Sequence, residues 1–216
     1  MKVGVIVFPG SNCDHDAHRA FKLLDGVDVT YLWHASHDIE GSDIVVLPGG
    51  FAYGDYLRAG AIARFSPIMR KVTEFANGGG VVLGICNGFQ MLLESGLLPG
   101  AMLRNARLRF VCRWINLRVE TTNSRLTANL KPGQLLRMPM AHGQGNYFAD
   151  SSTLTELELN DQILFRYVDE FGVASANANP NGSLNGIAAQ GRTPGRHDDE
   201  PASVVRRRDR SRQGVW

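Results

Sequence analysis

No apolar run in these 216 residues approaches the roughly 18 that a membrane-spanning helix needs. The stretch Val3–Phe8 is too short for a secretory leader and ends in a Gly10-Ser11-Asn12 turn. Cysteine is scarce and odd in number: Cys13, Cys86 and Cys112 are three thiols at wide spacing, which disfavours a disulfide framework and points to a cytoplasmic setting. No Gly-rich loop ends in Gly-Lys-Ser/Thr, so nucleotide phosphate binding is not expected of this chain. The histidines do not cluster with the scattered cysteines, and no metal site is expected. Charge of one sign is lacking too. The net charge is +2, and residues 191–216 hold seven Arg against four acidic side chains. Residues 1–190 are nearly balanced, with 16 basic and 17 acidic side chains. The body therefore gives no overall footprint for nucleic acid.

What the sequence does contain fits a globular chain, at 44% hydrophobic and 20% charged residues. Lys2–Phe8, Val27–Leu32, Asp43–Leu47 and Val81–Ile85 read as buried strands, each ended or begun by Gly or Pro. Asp14–Leu24, capped at Asp14, Ile62–Phe75 and Asn87–Leu93 read as helices. That order predicts an α/β fold: a mostly parallel, doubly wound sheet flanked by helices. Arg107–Glu120, Gln134–Met138, Ile163–Tyr167 and Leu184–Ala189 read as further strands, forming an added β-layer or a sheet extension.

The sharpest chemical signal is Leu83-Gly84-Ile85-Cys86-Asn87-Gly88-Phe89-Gln90. A strand ends at Ile85 and a helix begins after Cys86, so the thiol sits on a sharp elbow at the carboxyl edge of the sheet. Gly84 and Gly88 suit the crowding of such a turn. A helix N-terminus favours the thiolate, which is the attacking species. A second loop, Pro48-Gly49-Gly50-Phe51, follows the third strand and reaches the same edge, where ligands bind in parallel sheets. Gly49 and Gly50 can offer backbone N–H groups to a developing oxyanion.

The elbow resembles the nucleophile motif of class I (triad) glutamine amidotransferases. Further stretches narrow the resemblance: Phe8-Pro9-Gly10-Ser11-Asn12-Cys13-Asp14, the run Pro48 to Gly60, Phe110-Val111-Cys112-Arg113, Pro139 to Tyr147, and Asn179 to Ala188. Together these are similar to the glutaminase subunits of phosphoribosylformylglycinamidine synthases, over residues 1 to about 189. The resemblance implies a glutamine amidotransferase domain over 1–189 in which Cys86 attacks L-glutamine. N–H groups near Gly50 and Asn87 would hold the oxyanion, and Phe51, Gln90 and Tyr53 would shape the glutamine pocket. It also implies a large synthetase partner, with or without a small third subunit. That partner uses ATP and Mg to convert formylglycinamide ribonucleotide to formylglycinamidine ribonucleotide in purine synthesis. No cofactor, nucleic acid or membrane is implied for this chain. Two alternatives stay open: a subunit without hydrolytic activity, and a stand-alone cysteine hydrolase of related fold.

The tail departs from the family. A Cys nucleophile wants a His to deprotonate it and a carboxylate to orient that His. The resemblance places them late, in a Pro-His-Pro-Glu run after two hydrophobic residues, often Met-Met. Here the late segment reads Gly195-Arg196-His197-Asp198-Asp199-Glu200-Pro201, and the Arg-rich residues 190–216 lose the apolar pattern. His197 as base with Asp199 as orienter is one reading; His142 is a weaker substitute for the base. The other reading is a frameshift near Ala189: His197-Asp198 encoded CAT GAT, followed by G, yields Met-Met one nucleotide later. A second change would be required to restore the Pro, because an Asp199 codon begins with GA.

Overall fold

The computed structural model describes residues 1–55 and 59–192. Its first half contains β1 (Lys2–Val7), α1 (Asp14–Lys22), β2 (Asp28–Trp33), β3 (Ile44–Leu47), α2 (Ala59–Ala63), α3 (Pro67–Asn77), β4 (Val81–Gly84) and α4 (Asn87–Glu94). The four strands pair in parallel in the order β2-β1-β3-β4. The chain thus runs outward from β1 to β2 and returns past it to β3. This creates a topological switch between β1 and β3, with a crevice at their carboxyl ends.

Alternating side chains of these strands enter two cores. Val3, Val5 and Val46 pack with Ala17 and Phe21 of α1 on one face. Ile6, Val45 and Leu47 pack with Ile68 and Val72 of α3 and Met91 and Leu92 of α4 on the other. Full burial of such aliphatic side chains contributes about 1.5–3 kcal/mol each. This is the doubly wound arrangement the sequence pattern predicts.

Two local expectations are corrected. The single helix over Ile62–Phe75 is two, because Ser66 is extended (φ −62°, ψ 136°) and Pro67 restarts the helix at its first turn. A residue before proline avoids helical ψ, whereas proline itself suits the first helical position. Asp14 does not cap α1 from outside; Cys13 holds the cap position. The buried Asp14 carboxylate instead accepts hydrogen bonds from Ser11 Oγ at 3.0 Å and the His15 N–H at 2.9 Å.

The second half builds a separate layer rather than widening the parallel sheet. β5 (Ala101–Leu103) pairs with β8 (Asn146–Phe148). β6 (Val111–Val119), β7 (Leu135–His142), β9 (Ile163–Val168) and β10 (Ile187–Gln190) form an antiparallel sheet in the order β10-β9-β6-β7. α5 (Ser151–Leu159) leads into β9 and is capped by Asp150, which accepts the Thr153 N–H at 2.7 Å. β4 is the edge strand of the parallel sheet, and its residues are only half-buried. Between it and the antiparallel layer lies a cavity of about 1290 Å³, whose walls include Leu83, Cys86, Ile115, Met140, His142 and Tyr167. No helix among the described residues is long and apolar enough to cross a membrane.

Candidate active site

Cys86 links β4 to α4 with φ 50° and ψ −103°. An L side chain rarely adopts positive φ, and holding one there costs on the order of 1–3 kcal/mol. The flanking glycines make the turn sterically possible. A Cβ on Gly84 would lie 2.7 Å from the Gly88 carbonyl oxygen, and one on Gly88 would run into the carbonyl of Leu47. The elbow is therefore pressed directly against the end of β3. Ile85 N–H donates to the Leu47 carbonyl at 3.0 Å, and Gly88 N–H closes the turn onto Ile85 at 2.8 Å.

The β3 loop stands beside the nucleophile. A Cβ on Gly49 would be 3.4 Å from the Cys86 Cβ, and Gly50 has φ 117°, open in practice to glycine alone. Asn12 pins this loop from the β1 side, its Oδ1 accepting the Phe51 N–H at 3.2 Å. A Cβ on Gly50 would collide with Asn12. Phe51 is half exposed at the rim. Tyr53 shares the loop, but its hydroxyl bonds Ser66 Oγ at 2.8 Å and approaches His34 Nδ1 at 3.4 Å. Asn87 and Gln90 are buried on α4: Asn87 Nδ2 donates to Gln90 Oε1, and Gln90 Nε2 donates to the Gln144 carbonyl, each at 2.9 Å. The Gln90 amide, expected to shape the glutamine pocket, thus ties the cysteine helix to the loop after β7.

That loop, 142–145, is fixed by two asparagines that the sequence reading did not assign to the site. Asn105, 1% exposed, donates from Nδ2 to the carbonyls of His142 (2.9 Å) and Arg109 (2.8 Å), and its Oδ1 accepts the Gly145 N–H at 2.9 Å. Asn181 Oδ1 accepts the Ser183 N–H at 3.1 Å. This orients its Nδ2 toward His142 Nε2 at 3.0 Å and the Tyr167 hydroxyl at 3.2 Å. Burial pushes the Tyr167 hydroxyl up to about 12, the Asn181 bond opposes this, and the charge of a Cys86 thiolate adds to the rise. Tyr167 and Cys86 therefore share one electrostatic neighbourhood.

His142 is a poor base in this arrangement. Its Nε2 already accepts the Asn181 amide, which assigns the proton to Nδ1. Burial lowers its affinity for a further proton. The other described histidines are engaged elsewhere: His15 bonds Tyr31, His18 stacks on the same ring, and His34 bonds Ser66. His37 lines a second cavity with Arg64 and Phe65. His197 and Asp199 lie outside the described residues. Among the described residues no group of three or more His, Cys, Asp or Glu could hold a metal ion.

The His142 linkage gives a measurable pH effect. Below about pH 6.5, the ordinary His value, the unfolded chain takes up a proton that folded His142 resists, so stability falls as pH falls. Lowering pH from 7.5 to 5.5 is therefore expected to lower the melting temperature. His142→Gln, which keeps an acceptor for Asn181, should show a smaller drop. An equal drop in both proteins would remove His142 from the linkage.

Residues 1–198 match the CobB/CobQ-like glutamine amidotransferase domain family. The chain is 57% identical over 188 residues to phosphoribosylformylglycinamidine synthase subunit PurQ of Koribacter versatilis, covering 87% of this chain and 81% of that protein. It is 58% identical over 188 residues to the subunit of the same name in Moorella thermoacetica, covering 87% and 80%. A chain in the structure of PurLQS from Thermotoga maritima superposes with a TM-score of 0.73 at 36% identity, covering 86% of this chain and 79% of that one. An elbow cysteine beside a glycine loop thus coincides with extensive identity, and the chain belongs to the PurQ family of phosphoribosylformylglycinamidine synthase subunits, glutamine amidotransferases of the CobB/CobQ-like type.

Proposed function

We propose that this chain is the glutaminase subunit of a phosphoribosylformylglycinamidine synthase, hydrolysing L-glutamine at Cys86 and passing ammonia to a synthetase subunit. The observation that carries the reading is the positive-φ Cys86 between Gly84 and Gly88, packed against the Gly49-Gly50 loop. The Cys86 thiolate attacks the side-chain amide carbon of glutamine, forming the C–S bond. The developing oxyanion is held by the backbone N–H groups of Gly50 and Asn87. The base returns the thiol proton to the amide nitrogen, and ammonia leaves a γ-glutamyl thioester. Water attacks the thioester, releasing glutamate and regenerating the thiolate. Phe51 stands at the rim of the glutamine site, while Gln90 and Asn105 hold loop 142–145 in place behind it.

The synthetase subunit, with or without a small third subunit, carries the ATP and Mg chemistry that converts formylglycinamide ribonucleotide to formylglycinamidine ribonucleotide. This chain needs no cofactor of its own for glutamine hydrolysis. The histidine base is supplied by the tail, as His197 in the present reading frame or as the His of a Pro-His-Pro-Glu run in a corrected one. We place the subunit in the cytoplasm.

Mixing the chain with the synthetase of the same organism, ATP, Mg and formylglycinamide ribonucleotide tests the reading. Glutamine should support amidine formation with one glutamate released per turnover, and hydrolysis should be several-fold slower without the synthetase. Glutamine hydrolysis indifferent to the synthetase would favour a stand-alone hydrolase and overturn the assignment.

A further inference from the structure

Residues 101–141 carry seven Arg and one Lys against the single acid Glu120, although the rest of residues 1–190 is acidic by eight charges. Much of the basic charge lies on β6, β7 and the loop before β6. Arg104, Arg107, Arg109, Arg113 and Arg137 are all exposed. Interleaved with them are large apolar side chains in water: Leu108 is 74% exposed, Phe110 56% and Trp114 60%. The register of β6 and β7 pairs Cys112 with Ala141 and Trp114 with Pro139, so these four exposed residues form one continuous strip. The Arg137 guanidinium lies over the Trp114 ring at 5.2 Å from its centroid, holding the indole in place without covering it. Exposed Trp, Phe and Arg with almost no Lys or Glu is the composition of a protein interface core, and Trp and Arg are the side chains that most often dominate binding energy.

The strip is also wired to the active site. β7 carries Pro139 and Ala141 and ends at His142, which lines the Cys86 cavity. Asn105 joins the Arg109 carbonyl, on the exposed loop, to the His142 carbonyl and the Gly145 N–H beside the site.

We infer that this basic, apolar face is the seat of the synthetase subunit, whose matching surface presents Asp and Glu side chains around an apolar patch. The inference rests on the proposed glutaminase function. An exposed strip rich in Leu, Phe, Pro and Trp favours a protein over a nucleic acid, and its position beside the cavity puts the receiver of ammonia next to its source. Contact on the exposed loop moves or stiffens Arg109, and Asn105 passes this to loop 142–145, giving the partner a route to stimulate hydrolysis.

The test uses the full-length chain and the purified synthetase subunit of the same organism. Cys112 lies in the middle of the strip with an exposed thiol. Its alkylation by a maleimide, followed by peptide mass spectrometry, should slow at least about tenfold in the complex. The double substitution Arg107→Glu with Arg113→Glu should raise Kd about tenfold or more and weaken its salt dependence, with basal hydrolysis unchanged. Binding with Cys112 unprotected and the double variant unaffected would overturn the inference and leave the glutaminase reading intact. Absence of any binding by the unmodified chain would overturn that reading and this surface with it. Self-association or nucleic-acid binding that protects Cys112 in place of the synthetase would likewise overturn it.

Discussion

With a Pro-His-Pro-Glu tail supplying the base, Cys86→Ala is expected to lower glutamine-dependent amidine formation by about three powers of ten or more, while ammonia-dependent formation by the complex stays within about twofold. The asymmetry follows from the division of labour. The thiol is needed only to release ammonia, and added ammonia enters downstream of it. Alanine removes Sγ but keeps Cβ and the elbow's backbone, so the synthetase should still find its seat on the β6–β7 face. Loss of both activities would instead give Cys86 a structural part in the assembly. The backbone supplies a second readout. Alanine at φ 50° and ψ −103° keeps the strain of the elbow, whereas glycine relieves it. Cys86→Gly should thus be more stable than Cys86→Ala by about 1 kcal/mol, a rise of roughly 2–4 °C in Tm, though both are inactive. A less stable glycine variant would mean that the elbow stores no strain. Stability recovered by removing the nucleophile would show that the fold holds this thiol in an unfavourable conformation for its chemistry.

The elbow was legible in the sequence because its constraints are local. A sharp strand-to-helix turn needs small residues two positions to either side, and Gly84 and Gly88 supply them within five residues. The parallel strands were legible for a similar reason: both faces of β1 and β3 are covered, so Val3–Val7 and Ile44–Leu47 are apolar without alternation. The split between α2 and α3 was announced by Ser66-Pro67 but masked by the apolar residues on either side. α5 was missed because Leu154 and Leu157 give it only a narrow apolar stripe; its Asp150-Ser151-Ser152 start was the available signal. The polar scaffold of the site was not legible at all. Asn105 meets Gly145 across 40 residues of chain, and Asn181 meets His142 across 39. Each is, in sequence, an ordinary loop asparagine. Only the antiparallel layer brings them together and lets Gln90 tie two walls of the site.

Replacing residues 191–216 with a segment that continues β10 into a hydrophobic run followed by Pro-His-Pro-Glu is expected to raise glutamine hydrolysis by about three powers of ten. His197→Ala in the unaltered chain is expected to change it less than about twofold. The first effect is the size typical when a base is restored to a nucleophile already in place. The second follows if the tail is read out of frame from about Ala189, so that His197 and Asp199 are accidents of the shifted codons. Three observations motivate this. The apolar pattern stops near residue 190, the two curated relatives match over 188 residues, and seven Arg crowd into residues 191–216. The geometry adds a fourth. β4 is an edge strand with half-buried residues, and the cavity beside it, about 1290 Å³, is walled by Leu83, Ile115 and Met140 and reached directly from Gln190. An apolar strand leaving β10 would meet apolar walls there and end beside Cys86, where a base has to stand. An Arg-rich segment would bring charge into the same space, at a desolvation cost of several kcal/mol per unpaired ion. Resequencing the gene across codons 185–216 decides the matter independently of kinetics. A corrected frame with His followed two residues later by Glu would complete the triad. A confirmed present frame, together with a loss of several powers of ten in His197→Ala, would make His197 the base and Asp199 its orienting carboxylate.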